Sequence, residues 1–392
     1  MLPEGGVRTR RGTHYIDALV TDAHIRWAVA GVRALGQAGL AAAAMAPSRA
    51  SAGLWSRYAA ARESGPDPLE RPAAFAAAVG AVAERAGRLV VYPGHEESID
   101  ALFEADLPPS VVLPYPDAAV TQAFRDKRRL AELAGDAGLP VPRTLLEVTA
   151  GELAGQAVGV PCAVKAARPG GSLGLTQLID DADQLRELLP ELPPDEPLVV
   201  QERADGPLIG LALVVGRDGN QVARFQQVAL RTWPPGAGGS TLAVSTEVDE
   251  DLAERSTAML AGTGYWGLAH LQFLRTSQGH TLIDVNTRYY GSMPLATAAG
   301  VNLPAAWHAV VTGTDGGSPP PRYRVGMAYR WLEPELVAAL RGSPGLLLAR
   351  GPRARSGAMW ASDDPVPSAL LALQVATARM GRQFRRLRAG SA

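Results

Sequence analysis

Through the N-terminal third of the chain, short apolar runs alternate with stretches whose apolar positions recur every three to four residues. Residues 15–20, 40–45, 88–92 and 111–113 read as strands. Residues 24–37, 72–86 and 97–104 read as helices, with Ile25, Ala28, Val29, Val32 and Leu35 on one face of the first. Residues 47–68 read as loop. Strands alternating with helices predict a parallel, helix-covered sheet. Pro93-Gly94-His95-Glu96 then falls at the C-terminal end of a strand, where open α/β sheets bind ligands. An ordinary strand-to-helix turn is the favoured reading of His95.

Further on, the pattern changes. A long helix is expected over 117–137, stopped by Gly138, with Asp126 and Lys127 inside it. Strands are expected at 143–146, 161–166, 175–179, 197–201, 208–215 and 222–230. Helices are expected at 152–158, 181–189, 249–261 and 303–311, and a Pro- and Gly-rich loop at 231–241. A strand near Tyr329, a helix over 334–340 and a basic helix from Ser368 complete the expectation. Residues 271–288 form the most informative stretch. Leu271-Gln272-Phe273-Leu274 and Thr281-Leu282-Ile283-Asp284-Val285-Asn286 flank a Ser-Gln-Gly turn, which predicts a hairpin. Strict alternation puts Leu282, Asp284, Asn286 and Arg288 on one face, with Gln272 beside Asp284. That face is either a solvated edge or a site for a metal ion and a polyanion.

Composition narrows the choice. A chain of 392 residues can hold two or three domains with real cores. With 47% hydrophobic residues and a formal net charge of −1, neither global disorder nor a nucleic-acid partner is indicated. The lone Cys162 excludes an intramolecular disulfide and fits a reducing, cytoplasmic setting. No uninterrupted apolar stretch is long enough to span a membrane, and residues 1–13 read as a loose basic tail. Of 38 basic residues only two are lysine, Lys127 and Lys165. Where arginine serves almost everywhere, a retained lysine points to a need for a compact ammonium on a flexible stem.

Strand, Gly-rich loop, strand around Lys165 suits a lid over phosphates, with Gly170, Gly171 and Ser172 in the loop. It is not a Walker loop, because the lysine precedes the glycines. Gly170-Gly171-Ser172-Leu173-Gly174 also matches the serine-hydrolase elbow G-x-S-x-G, but that motif needs a helix after it and a strand is expected there. The phosphate loop is therefore preferred.

Four segments in order resemble the ATP-grasp superfamily. They are Asp126-Lys127 with the following Gly138-Leu139-Pro140-Val141-Pro142, and Pro161-Cys162-Ala163-Val164-Lys165 with its loop. Val199-Val200-Gln201-Glu202-Arg203-Ala204 and Ile283-Asp284-Val285-Asn286-Thr287-Arg288 complete the set. The loop from Arg231 through Trp233 to Gly238-Gly239 looks closest to the carbamoyl-phosphate-synthetase-like and carboxylate–amine ligase branch. The resemblance implies a mixed α/β and α+β architecture. A Rossmann-like domain over 14–116 would precede a two-subdomain ATP-grasp fold over 117–313, divided at 195/196, and a linker with an Arg-rich extension would fill 314–392.

It also implies roles. Lys127, Lys165, Gly170, Gly171 and Ser172 would meet ATP phosphates. Glu202, Arg203 and Ala204 would lie at the adenine. Gln272, Asp284 and Asn286 would hold Mg²⁺, with Mn²⁺ as an alternative. Arg288, Arg231 and Lys165 would act on the transferring group and the substrates. The implied activity is ADP-forming ligation of a small carboxylate to an amine, without nucleic acid or membrane, in a chain that can form a homodimer. A carbamoyl-phosphate-type kinase and a catalytically degenerate ATP binder are the alternatives. Gln272, where many members of the family have Glu or Asp although carbamoyl phosphate synthetase also has Gln, Asp284, where the usual residue is Glu, and the missing ribose acid after Gly206 are the departures that keep the last alternative open.

Overall fold

The computed structural model describes residues 7–9, 12–167, 176–277, 279–317, 320–340, 352 and 354–374. The expected tip of the phosphate loop and the Arg-rich end of the chain lie outside these. The chain divides into two compact units. One holds residues 1–113, 331–337 and 356–392, the other 114–330 and 338–355.

In the first unit, β1 (Val7–Thr9) and β2 (Gly12–His14) pair as a small antiparallel hairpin. A parallel sheet follows, built from β3 (Ala18–Val20), β4 (Ala42–Ala46), β5 (Ala59–Ser64), β6 (Leu89–Tyr92) and β7 (Val111–Val112) in the order β5-β4-β3-β6-β7. Its helices are α1 (Arg26–Gln37), α2 (Pro72–Ala86) and α3 (Glu96–Phe103). The parallel sheet is as expected, and β3, β4 and β6 are buried along their whole length. The stretch expected as loop at 47–68 contains β5. That strand is an edge with one buried residue, Ala61, so it carries no apolar alternation to read. Arg33, buried on α1, donates to Asp364 Oδ2 at 2.9 Å, to the Met359 and Asp364 carbonyls and to Ser368 Oγ. Ser56 Oγ and the Arg57 N–H also donate to the Asp364 carboxylate. The helical segment 365–374 is thereby fastened to the first unit by one ion pair set in a closed network.

The second unit opens with α4 (Ala118–Ala123) and α5 (Lys127–Asp136) where one long helix is expected. Two aspartates decide this. Asp117 accepts from Val120 N and Asp126 from Arg128 N, each capping its own helix, so the break falls just before Lys127. The chain continues through β8 (Thr144–Thr149), α6 (Ala150–Leu153), β9 (Cys162–Ala166), β10 (Gln177–Ile179), α7 (Ala182–Leu188) and β11 (Pro197–Glu202). These strands form an antiparallel sheet ordered β10-β9-β11-β8. The helix expected over 152–158 is a single turn shifted earlier, because Thr149 and Glu152 make a capping box that starts it at Ala150.

Next come β12 (Leu208–Val215), β13 (Gln221–Trp233), β14 (Gly239–Thr246), α8 (Glu250–Gly262), β15 (Gly267–Thr276), β16 (Gly279–Asn286), α9 (Pro294–Ala299), α10 (Leu303–Thr312) and β17 (Ala328–Arg330). In sequence α11 (Leu332–Leu340) follows them. The strands run antiparallel in the order β16-β15-β12-β13-β14-β17. The loop expected over 231–241 is mostly strand, since β13 reaches Trp233 and β14 starts at Gly239. Ile209, Leu211, Leu213, Ala269, Leu271 and Phe273 turn one face of this sheet into a core with α5 and α8 residues. Gly206, between β11 and β12, has to be glycine. A Cβ there would lie 2.1 Å from the Arg275 carbonyl oxygen. Among the described residues no helix is long and apolar enough to cross a membrane.

Candidate active site on the central sheet

The hairpin of β15 and β16 forms, and Gln272 stands directly opposite Asp284. Its alternation is not the expected one. The next pair is Phe273 with Leu282, so Ile283 is a bulge. Leu282 and Val285 therefore both enter the core, while Asp284 and Asn286 are only partly buried. Leu282 does not share a face with Asp284, and no sequence period announces the slip.

The bulge has a chemical consequence. The Ile283 carbonyl accepts a 3.4 Å hydrogen bond from Lys165 Nζ, across 118 residues of sequence. Lys165 lies on β9 between Val164, which is in the core of the smaller sheet, and Ala166, so its side chain leaves that core on the opposite face. It is 8% exposed. Burial, with the Lys127 charge acting the same way and Asp284 opposing, lowers its pKa to about 8. A buried ammonium held by a carbonyl costs several kcal/mol, on the order expected for an interior charge without a close counter-ion. Such a group is well placed to receive an anion.

Lys127 arrives from the other side. It is the first residue of α5, and its backbone N–H donates to the Ala167 carbonyl at 3.1 Å, which ties the helix start to the end of β9. Its Nζ forms an ion pair with Asp284 Oδ1. Asn286 Nδ2 donates to the other oxygen, Oδ2, at 2.9 Å. Burial alone would push the Asp284 carboxyl up. Lys127, Lys165 and Asn286 outweigh it, so the group is held below the usual carboxylate range. Gln272, Asp284 and Asn286 thus gather two amide oxygens and one carboxylate on adjacent strands. That hard oxygen set fits Mg²⁺ or Mn²⁺ completed by water and phosphate oxygens. Among the described residues no three His, Cys, Asp or Glu side chains cluster as metal ligands, so a softer ion has no comparable site there.

The other expected residues are more dispersed. Arg288 Nη1 donates to the Tyr289 carbonyl at 3.0 Å and follows the hairpin directly. Glu202 ends β11; its carboxylate is exposed and accepts from Arg143 Nε at 3.0 Å, and its N–H donates to the Arg143 carbonyl at 2.9 Å. Arg203 donates to Asp205 at 2.9 Å and also pairs with Asp180. Ala204 follows in the same irregular turn. Arg231 stands on β13 opposite Leu242, at a bulge three strands from β16. Gly170, Gly171 and Ser172 lie outside the described residues. At the end of β6, Gly94 N–H and Ser98 Oγ donate to Asp22 Oδ2 at 3.0 and 2.7 Å, so the chain itself fills that turn.

Sequence reasoning missed a neighbouring group. His270 pairs with Asn286 across the hairpin and lies two residues before Gln272. Its ring stacks on Tyr290 with centroids 3.9 Å apart and planes at 3°. It is 4% exposed. Burial and the Arg288 charge lower its pKa to about 3 against the pull of Asp284, so the imidazole is neutral. Burial also pushes the Tyr290 phenol up. Gln227 on β13 donates to Ser292 Oγ at 2.6 Å. The only available signal was a histidine in phase with Gln272, and a histidine in an apolar strand reads equally well as core.

Residues 196–334 match a family model described as ATP-grasp in the biosynthetic pathway with Ter operon. No curated protein matches by sequence. Among solved structures, the biotin carboxylase domain of 2-oxoglutarate carboxylase from Hydrogenobacter thermophilus, described with MgADP and bicarbonate, has a TM-score of 0.60 at 17% identity, covering 80% of this chain and 74% of that one. N5-carboxyaminoimidazole ribonucleotide synthetase from Thermus thermophilus has a TM-score of 0.57 at 18% identity, covering 80% and 81%. L-amino acid ligase from Bacillus licheniformis has 0.56 at 16% identity, covering 78% of each chain. At these identities the likeness is one of fold.

Proposed function

We propose that this chain, a member of the ATP-grasp superfamily by its fold and by the family model it matches, is an ADP-forming ligase that activates a carboxylate and couples it to an amine. The observation that carries the reading is the meeting of the chain's only two lysines at one strand. Lys127 pairs with the Asp284 carboxylate, and Lys165 bonds the adjacent Ile283 carbonyl. Two ammonium groups converging on an oxygen-rich edge match the charge of a triphosphate approaching a metal-binding carboxylate.

In this reading Lys127 and Lys165 neutralise phosphate oxygens, which lowers the repulsion between triphosphate and carboxylate. Gln272, Asp284 and Asn286 hold Mg²⁺, which when bound supplies further charge neutralisation. Arg288 orients the carboxylate. A carboxylate oxygen attacks the γ-phosphorus, a new O–P bond forms, and ADP leaves with the electron pair of the broken bond. The amine nitrogen then attacks the acyl carbon. The C–N bond forms, phosphate leaves with its electron pair, and the amine's proton passes to phosphate or water. No covalent enzyme intermediate is required, and the burial of Lys165 fits a site that keeps water from the acyl phosphate. The activity fits the name of the L-amino acid ligase of similar fold, and the bicarbonate named for the carboxylase makes bicarbonate one carboxylate to include.

The test is ADP release with Mg-ATP across a panel of small carboxylates, amino acids and bicarbonate. Hydroxylamine is present to trap any acyl phosphate as a hydroxamate. Hydroxamate from at least one carboxylate, lost in Lys165→Ala, is the expected result. Tight ATP binding with no turnover on the whole panel would replace the ligase with a binding protein. Phosphate transfer to bicarbonate alone would replace it with a carbamoyl-phosphate-type kinase.

A further inference from the structure

Across the central sheet, register places Asp284, Gln272, Gly210 and Gln227 in one row, from β16 through β15 and β12 to β13. Asn286 and His270 begin the next row on the same face. Neighbouring strands are about 4.8 Å apart, so Gln227 lies about 14 Å from Asp284 along the row. The row thus joins the proposed phosphate-binding end to a second polar group on one face of the sheet.

Gln227 at the far end of the row, with His270 in the next row and Tyr290 stacked on it, presents polar atoms that bond none of the described residues. His270 Nδ1 and Nε2, Gln227 Oε1 and the Tyr290 hydroxyl are all buried, and none has a hydrogen-bond partner among the described residues. Leaving such groups unpaired costs about 1–3 kcal/mol each, so their concentration in one place calls for a ligand. His270 and Gln227 lean together over Gly210. A methyl group on Gly210 would stand 2.7 Å from His270 Nε2 and 3.3 Å from Gln227 Nε2. Tyr290 covers the imidazole by stacking, while its hydroxyl bonds none of the described residues. A ring held that way can be displaced without breaking a hydrogen bond.

We infer that His270, Gln227 and Tyr290, above Gly210, form the subsite that recognises the amine substrate as its neutral base, Tyr290 moving aside as the amine enters. The inference rests on the ligase reading above. The chemistry of the atoms selects the substrate group. Gln227 Oε1 and one imidazole nitrogen accept N–H donors, while the other imidazole nitrogen and the phenol can meet a neighbouring acceptor on the same molecule. None of the three side chains carries a negative charge, so they offer an ammonium ion no counter-ion, and their acceptors match the N–H groups of the free base. Only the free base has the lone pair that attacks an acyl carbon. These are positioning residues, and Asp284 remains committed to the phosphate end.

The experiment uses the full chain and its His270→Phe, His270→Gln and Gln227→Leu variants. The proteinogenic amino acids are supplied as amines, and hydroxamate formation is run as a separate arm. His270→Phe and Gln227→Leu are expected to raise KM for the amine about tenfold, the loss of one or two neutral hydrogen bonds. KM for ATP and the hydroxamate rate should stay near wild type. His270→Gln, which keeps a donor and an acceptor, should restore the amine KM. Hydroxamate formed normally, with the amine KM unchanged in both His270→Phe and Gln227→Leu, overturns the subsite and leaves the ligase standing. Equal losses for ATP and amine reduce the residues to a structural role and also overturn it. Absence of hydroxamate in the wild type overturns the ligase reading and the subsite with it.

Discussion

Lys127 and Asp284, 157 residues apart in the chain, form an ion pair in which the lysine ammonium occupies one oxygen of the carboxylate proposed to hold the metal. The second oxygen is bonded by Asn286. A metal ion arriving alone has to displace the lysine. A triphosphate offers that lysine another partner and frees the carboxylate. Metal and nucleotide should therefore bind cooperatively. In Lys127→Met, Mn²⁺ affinity without nucleotide, followed by electron paramagnetic resonance, is expected to rise about tenfold while ATP affinity falls. Unchanged Mn²⁺ affinity would contradict the competition.

The pKa of Lys165 is lowered to about 8, mainly by burial. Its charged form is the one that attracts phosphate. Below that value the ammonium is present and binding is strong; as pH rises through about 8 the proton is lost from the free protein and affinity drops. Bound triphosphate raises the pKa again, so binding should take up part of a proton near that pH. Calorimetry in buffers of different ionisation enthalpy measures this uptake. Lys165→Met should abolish both the uptake and the pH dependence.

Gly210 has neighbours on both sides of its missing side chain. Gly210→Ala would push His270 and Gln227 aside. The expected cost is about 1–3 kcal/mol of stability, as for other overpacked sites. A larger loss should appear in amine KM than in ATP KM. Urea unfolding and steady-state kinetics on the same variant separate the two effects.

In the first unit, Arg33→Ala would leave the Asp364 carboxylate buried without its cation. A loss of about 3–5 kcal/mol is expected from breaking a buried pair. Thermal unfolding should fall in the double variant Arg33→Met with Asp364→Leu by clearly less, because no lone charge remains. Equal losses in both would show that packing, rather than the ion pair, holds the segment.

The sequence by itself determined the alternation of strands and helices in the first unit, because buried parallel strands need continuous apolar runs such as Ala42–Ala46. It also singled out Lys127, Lys165, Gln272, Asp284 and Asn286, because unusual residue types in ordered segments carry chemical meaning without a fold. What it could not fix was where local patterns compete. Asp126 reads as a helix-interior residue, but its side chain caps a second helix and so places Lys127 at a helix start. The bulge at Ile283 moved Leu282 to the core and freed the carbonyl that Lys165 meets. A strand records its side-chain period, but a one-residue slip depends on the partner strand. His270, Gln227 and Tyr290 come from separate segments, and each alone reads as core. Only the register of the central sheet, which sets His270 and Gln227 on one face with Asp284, and the stacking of Tyr290 on His270 give their unpaired atoms a common purpose.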